Sequence, residues 1–175
     1  MAKDNSKLPE AVLDESYFGK VLHKENLGYL PYTWASDKNI SALENVDVNL
    51  NLEDSYNIEK INSNNLIKIS SESGYLDFNL DSAINGSDCD FIKLELKFND
   101  SYTRVGSLYF NANDSELDST NKFSFNIKTG TMLIPVSSNP YWFSSKEIRN
   151  IRLGFEACIP NEEIEYNISF LKLKK

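Results

Sequence analysis

The stretch Phe91-Ile92-Lys93-Leu94-Glu95-Leu96-Lys97-Phe98 alternates apolar and charged side chains without a break. A period of two puts Ile92, Leu94, Leu96 and Phe98 on one face and Lys93, Glu95 and Lys97 on the other. That is the pattern of a strand with one face in a core and one in water. A helix would scatter these side chains around its circumference. A parallel sheet covered on both faces would read as a continuous apolar run instead.

The same signal recurs along the chain. Leu66-Ile67-Lys68-Ile69-Ser70 reads as a strand, and Tyr75-Leu76-Asp77-Phe78-Asn79-Leu80 alternates after a Ser73-Gly74 turn. Asn85-Gly86 is a turn signal. Val105 to Asn111 follows, then Phe123, Phe125 and Ile127, then a Thr129-Gly130 turn into Thr131–Val136. Ile151 to Phe155 alternates, and in the last strand Ile164, Tyr166, Ile168 and Phe170 share one face while Leu171 and Leu173 take the other. Roughly eight short strands therefore lie between residue 66 and the C-terminus, which predicts an all-β antiparallel sandwich or barrel. No motif repeats, so a propeller or solenoid is excluded. A jelly roll of two facing sheets suits about 110–125 residues. Upstream, Val46, Val48, Leu50 and Leu52 alternate and predict a first strand. Ser144 to Ile148 predicts one helical turn capped by Ser144.

The N-terminal part differs. Residues 1–9 are polar, and Leu13, Tyr17, Val21 and Leu22 recur at helical spacing, predicting a short amphipathic helix from Pro9 to about Lys24. In Leu27-Gly28-Tyr29-Leu30-Pro31-Tyr32-Thr33-Trp34-Ala35, Pro31 forbids a regular helix. This apolar, irregular segment is expected to pack against something. The expected organisation is a tail, helix and docking segment over 1–40 and a β-sandwich domain over 41–175.

Charge and composition narrow the function. The 175 residues carry 18 Lys+Arg and 26 Asp+Glu, a net charge of -8, which repels phosphate backbones and anionic membrane surfaces. Nucleic-acid binding is not expected. No apolar run approaches the roughly 20 residues that span a bilayer, so no membrane insertion is expected. Met1 to Lys7 leads into no apolar stretch of a signal peptide, which points to the cytoplasm or the inner face of the cell membrane. The single histidine, His23, and the two cysteines, Cys89 and Cys158, are too few for a zinc site. The cysteines are expected as free thiols. No nucleophile, base and orienting acid come together around His23. The acidic clusters Asp88/Asp90 and Asp114/Glu116/Asp118 lack a calcium-loop pattern and read as solvated loops. No metal, no cofactor and no catalytic residues are expected.

Aromatic side chains carry the functional signal. Asn139-Pro140-Tyr141-Trp142-Phe143 sets three aromatics in one loop, and loops on a rigid sandwich are where binding residues concentrate. Tyr141 and Trp142 are candidate stacking faces for sugar rings. The alternative for Trp142 is a plug that closes the end of the sandwich. Tyr109 points outward if Leu108 and Phe110 face the core. Arg104 and Arg152 supply forked donors, and Asn139 a polar contact.

These residues also carry a resemblance. Tyr75 to Asp81 and Cys89 to Leu96, then Gly106–Phe110, Phe123–Gly130, Leu133–Val136 with Asn139–Trp142, and Ile148–Phe155, resemble in order the β-sandwich modules attached to bacterial cell-surface glycosyltransferases and teichoic-acid-type polymerases. Leu30-Pro31-Tyr32-Thr33-Trp34-Ala35 is similar to the lead-in of such modules. The resemblance implies a galactose-binding-like jelly roll that is non-catalytic and works near envelope polysaccharide. It implies a glycan or polyol-phosphate polymer as ligand and a catalytic glycosyltransferase as partner domain. The competing expectation is a structural or protein-interaction sandwich with no sugar site.

Overall fold

A computed structural model describes residues 43–62, 65–98, 104–111, 121–127 and 129–174, without the side chains of Arg104 and Ile127. The helix expected before Lys24, the Leu27–Ala35 segment, His23 and the Asp114/Glu116/Asp118 cluster lie outside the described residues.

The strands are β1 Leu43–Asn45, β2 Leu50–Tyr56, β3 Ile58–Lys60, β4 Leu66–Ile69, β5 Gly74–Ile84 and β6 Phe91–Lys97. They continue with β7 Arg104–Phe110, β8 Lys122–Ile127, β9 Gly130–Ile134, β10 Ile148–Glu156 and β11 Glu162–Leu173. One sheet runs β3-β4-β11-β6-β9, with β1 also paired to β11; the other runs β2-β5-β10-β7-β8. Every pairing among them is antiparallel. From β4 onward the chain crosses repeatedly between layers, setting β4-β11-β6-β9 against β5-β10-β7-β8, the order of an eight-stranded jelly roll. The fold is the all-β antiparallel sandwich expected from the alternation.

The alternation decides which face is which. Leu76, Phe78 and Leu80 of β5, Leu108 and Phe110 of β7, Phe123 and Phe125 of β8, and Ile151, Leu153 and Phe155 of β10 all point into the interlayer and are buried. From the other sheet Ile67, Ile69, Ile92, Leu94, Ile134, Ile164 and Phe170 meet them. Phe78 packs edge-on against Tyr166 across the interlayer, ring centres 5.8 Å apart.

Two local expectations change. The segment expected as one strand from Val46 to Leu52 is strand only from Leu50 onward. Leu43–Asn45 pairs with β11, Leu50–Tyr56 pairs with β5, and Val46 and Val48 lie in the connection, half-buried against the core. The chain then changes sheets within one residue: Asn57, at φ 54, stands between β2 and β3. Asparagine tolerates the left-handed region better than most residues with a Cβ. The second change is the helical turn expected at Ser144–Ile148. It is instead α1, Pro140–Ser144, and Ser145 is its C-cap. Its N-cap is Asn139, whose side chain accepts from the Tyr141 and Trp142 amides at 2.8 and 3.3 Å, and Pro140 at the first position donates nothing that the helix needs.

This turn closes one end of the sandwich. Trp142 is fully buried, its Nε1 donates to the Cys89 carbonyl at 3.1 Å, and its ring meets Phe110 edge-on at 5.0 Å. Opposite lies the 3-10 turn Gly86–Asp88, where Asn85 accepts from the Ser87 amide at 3.0 Å. A Cβ on Gly86 would sit 1.6 Å from the Trp142 carbonyl oxygen, so only glycine lets the two turns meet. Cys89 and Cys158 are both buried thiols.

Two outcomes follow. Trp142→Ala leaves a large cavity and removes the hydrogen bond to the Cys89 carbonyl, and should cost about 3–5 kcal/mol in urea denaturation; a loss under about 1 kcal/mol would contradict the plug. Burial of Tyr166 raises its phenol above the ordinary 10.0. A raised folded pKa means the stabilisation is complete below pH 10.0 and declines as pH climbs through the folded value. Tyr166→Phe should flatten that alkaline decline in thermal melts.

Candidate functional site

The outer face of the five-stranded sheet, β2-β5-β10-β7-β8, carries the side chains that alternation turns away from the core. The register orders them in rows across the strands. One row reads Asp54, Asp77, Arg152, Tyr109, Lys122. The adjacent row reads Tyr56, Tyr75, Gly154, Ser107, Ser124. Tyr75 and Tyr109 therefore stand on either side of β10, and between them the floor is Gly154.

Each member is held by a neighbour. Arg152 donates through Nε to Asp77 Oδ1 at 2.6 Å and through Nη2 to Asp77 Oδ2 at 2.9 Å. The same guanidinium lies over the Tyr75 ring, with Cζ 3.8 Å from its centre. A bidentate fork and a stacked face together fix the orientation of a side chain that is otherwise long and mobile. The hydrogen bonds it donates to Asp77 are the main reason that the Arg152 guanidinium titrates above its ordinary range; partial burial opposes them. Tyr56 stacks on Tyr75 with ring centres 5.4 Å apart and planes 22° apart, leaving Tyr56 54% exposed. On the far side Lys122 Nζ lies 5.2 Å from the centre of the Tyr109 ring.

The trench that results has a volume of about 420 Å³ and is lined by Tyr56, Tyr75, Ser107, Tyr109, Arg152 and Gly154 among others. Gly154 keeps it open: a Cβ there would approach Ser107 Oγ to 2.4 Å. The opposite sheet also has a groove on its outer face, of about 500 Å³, lined by Glu95, Lys97, Thr131, Glu165 and Asn167 among others. There Asn167 donates to Glu95 at 3.0 Å and Lys93 pairs with Glu95 at 3.7 Å. The one aromatic lining it, Tyr166, is turned into the core. The larger groove thus offers charge without a stacking surface, and the smaller one offers both.

Of the residues expected from sequence, Tyr109 and Arg152 are brought together as register partners. Arg104 opens β7, paired with Ile127, and its side chain lies outside the described residues. Asn139, Tyr141 and Trp142 lie apart, in the end-closing turn. Asn139 is committed to the helix cap, Tyr141 is half-buried against the core, and the fully buried indole of Trp142 has no face for a ligand. The stacking role expected for Trp142 is thereby corrected, because the interlayer needed its ring as a lid. Sequence reading missed Tyr56, Tyr75, Asp77 and Gly154. For Tyr75 and Asp77 the signal was present: each flanks Leu76, whose inward position turns both outward.

Among the described residues no group of three His, Cys, Asp or Glu is placed to hold a metal ion, and no helix is long and apolar enough to cross a membrane. No family model matches the chain, and no curated protein sequence matches it. Two solved structures are similar at low identity. One is a low-affinity xylan-binding module from the gut symbiont Roseburia intestinalis, 12% identical over 77% of this chain and 91% of that one, with a TM-score of 0.45. The other is the enzymatically active domain of tailspike protein 4 of bacteriophage CBA120, 11% identical over 74% of this chain and 20% of that one, with a TM-score of 0.35. At this similarity neither a ligand nor an activity transfers to the present chain.

The close approach at Gly154 gives a direct test. Gly154→Ala should destabilise by about 1–3 kcal/mol, because Ser107 must move. Adding Ser107→Ala removes the crowding atom and should recover most of the loss. Additive losses in the double mutant would contradict the geometry.

Proposed function

We propose that this chain is a non-catalytic carbohydrate-binding module that holds a glycan in the trench over Gly154. The supporting observation is the Tyr75–Arg152–Tyr109 cluster with its glycine floor. A sugar ring has an apolar C–H face and a rim of hydroxyls. Aromatic rings accept the face, and fixed charged groups satisfy the rim. Tyr75 and Tyr109 are separated by two strand spacings across the sheet and two residues along it, about 12 Å on the diagonal. Arg152 is already immobilised by Asp77 and Tyr75, so binding costs little further side-chain entropy. Asp77 is engaged in that pair rather than poised across a cleft from a second acid, which favours binding over hydrolysis.

The charge of the surface favours a neutral glycan. Among the described residues the carboxylates Asp54, Asp77, Asp81 and Glu156 stand on this face with the cations Arg152 and Lys122, so negative charge prevails. A polyol-phosphate polymer would meet a surface that is negative on balance. The resemblance of residues 66–173 to modules of cell-surface glycosyltransferases supports envelope polysaccharide as the source of the glycan, a catalytic domain as partner, and the inner face of the cell membrane as the location.

Affinity electrophoresis and calorimetry against xylan, glucan and teichoic acid test this reading. Binding to a neutral polysaccharide is expected, with Tyr75→Ala and Tyr109→Ala each weakening it about tenfold, equivalent to about 1.4 kcal/mol, and Tyr141→Ala leaving it unchanged. Absence of binding to every polymer, or binding insensitive to both trench tyrosines, would overturn the proposal.

A further inference from the structure

The trench sheet has relief along its rows. In the row Tyr56, Tyr75, Gly154, Ser107, Ser124, two large rings on β2 and β5 are followed by three of the smallest side chains on β10, β7 and β8. The row on one side, Asp77, Arg152, Tyr109, Lys122, has no comparably small member. The row on the other side runs Glu156, Val105, Asn126. The small side chains therefore floor a channel that runs across the strands, with these two rows as its banks. At β5 the channel meets the Tyr75 ring. Tyr56 stacks on that ring from β2, and the Arg152 guanidinium lies over it from β10, so the ring cannot swing aside. At the other end the row runs out on β8, the last strand of this sheet among the described residues, where Ser124 and Asn126 are exposed.

We propose that the trench takes the end of a glycan chain, with the terminal ring against Tyr75 and the chain leaving over β8. This rests on the glycan-binding reading and narrows it from any stretch of a polymer to its terminus. A polymer gripped by its middle needs a groove open at both ends, and the Tyr56–Tyr75 stack bars one of them. The volume of about 420 Å³ lies near the bottom of the range of about 300–1,000 Å³ usual for small-molecule pockets, which fits a terminal unit and not a long segment. The polar groups fit an end too. A terminal ring carries a free hydroxyl where an internal ring carries its next glycosidic bond, and a hydroxyl both donates and accepts. Strand β10 sets one group of each kind two residues to either side of the Gly154 floor. Asp77 takes Nε and Nη2 of Arg152, which leaves Nη1 outside that fork as a donor. The exposed carboxylate of Glu156 is the acceptor.

Calorimetric titration of the full chain with intact xylan and glucan, each compared with its own endo-hydrolysed fragments, tests this. Sites per gram of sugar should follow the number of chain ends: cutting the chains about tenfold shorter should raise the sites per gram about tenfold, by mass action on the ends. Sites per gram that stay constant or fall on cutting mean binding along the chain. That result overturns the proposal and leaves the glycan-binding reading standing. Binding to neither polymer nor fragments overturns both. A second measurement checks the exit. Ser124→Ile, at an exposed position, raises the floor at β8 and should weaken fragment binding several-fold with the fold intact by thermal melt. Unchanged affinity in Ser124→Ile overturns the exit over β8 and with it the blind-ended channel.

Discussion

The dry interlayer is the constraint from which the rest follows. Two sheets can bury their inner faces only if every strand alternates, and alternation leaves each strand an outer row. Outer rows are free of the packing demand, so chemistry accumulates there. The cost of the arrangement appears at the ends, where strands stop and the interlayer would open. At one end the chain closes it with Trp142, anchored by its hydrogen bond to the Cys89 carbonyl and admitted by the missing side chain of Gly86. The most conspicuous aromatic of the sequence is therefore structural, while less conspicuous tyrosines form the trench.

The two outer faces use their freedom differently. One carries the ordered row Asp77, Arg152, Tyr109 beside Tyr75 and the Gly154 floor. Its order comes from mutual restraint: the carboxylate orients the guanidinium, and the guanidinium lies on the ring. The other is polar through Lys93, Glu95 and Asn167 and becomes apolar toward Phe91 and Leu171.

Much of this was legible before any coordinates. From Leu66 onward the period of two located the strands and their inward residues, because burial of one face imposes that period directly. Outward placement of Tyr109 and Arg152 followed from the same rule. The rule fails where the chain leaves a sheet. Val46 to Leu52 alternates throughout, yet only its Leu50–Leu52 end enters a strand, since pairing partners rather than periodicity decide where a strand begins. The helical turn was misplaced for a similar reason: Asn139-Pro140 and Ser144 both carry cap chemistry, and the contact with Gly86 selects the first.

What the sequence determined by itself was the side of the sheet on which each residue falls, because that depends only on its own strand. What the tertiary structure decided was adjacency across strands. Arg152 lies 75 positions from Asp77, and nothing local joins them; the jelly-roll order places β10 between β5 and β7 and so brings Asp77, Arg152 and Tyr109 into one row. Hydrogen bonding between strands distant in sequence is cooperative and non-local, so its outcome is written in the whole chain and not in any stretch of it.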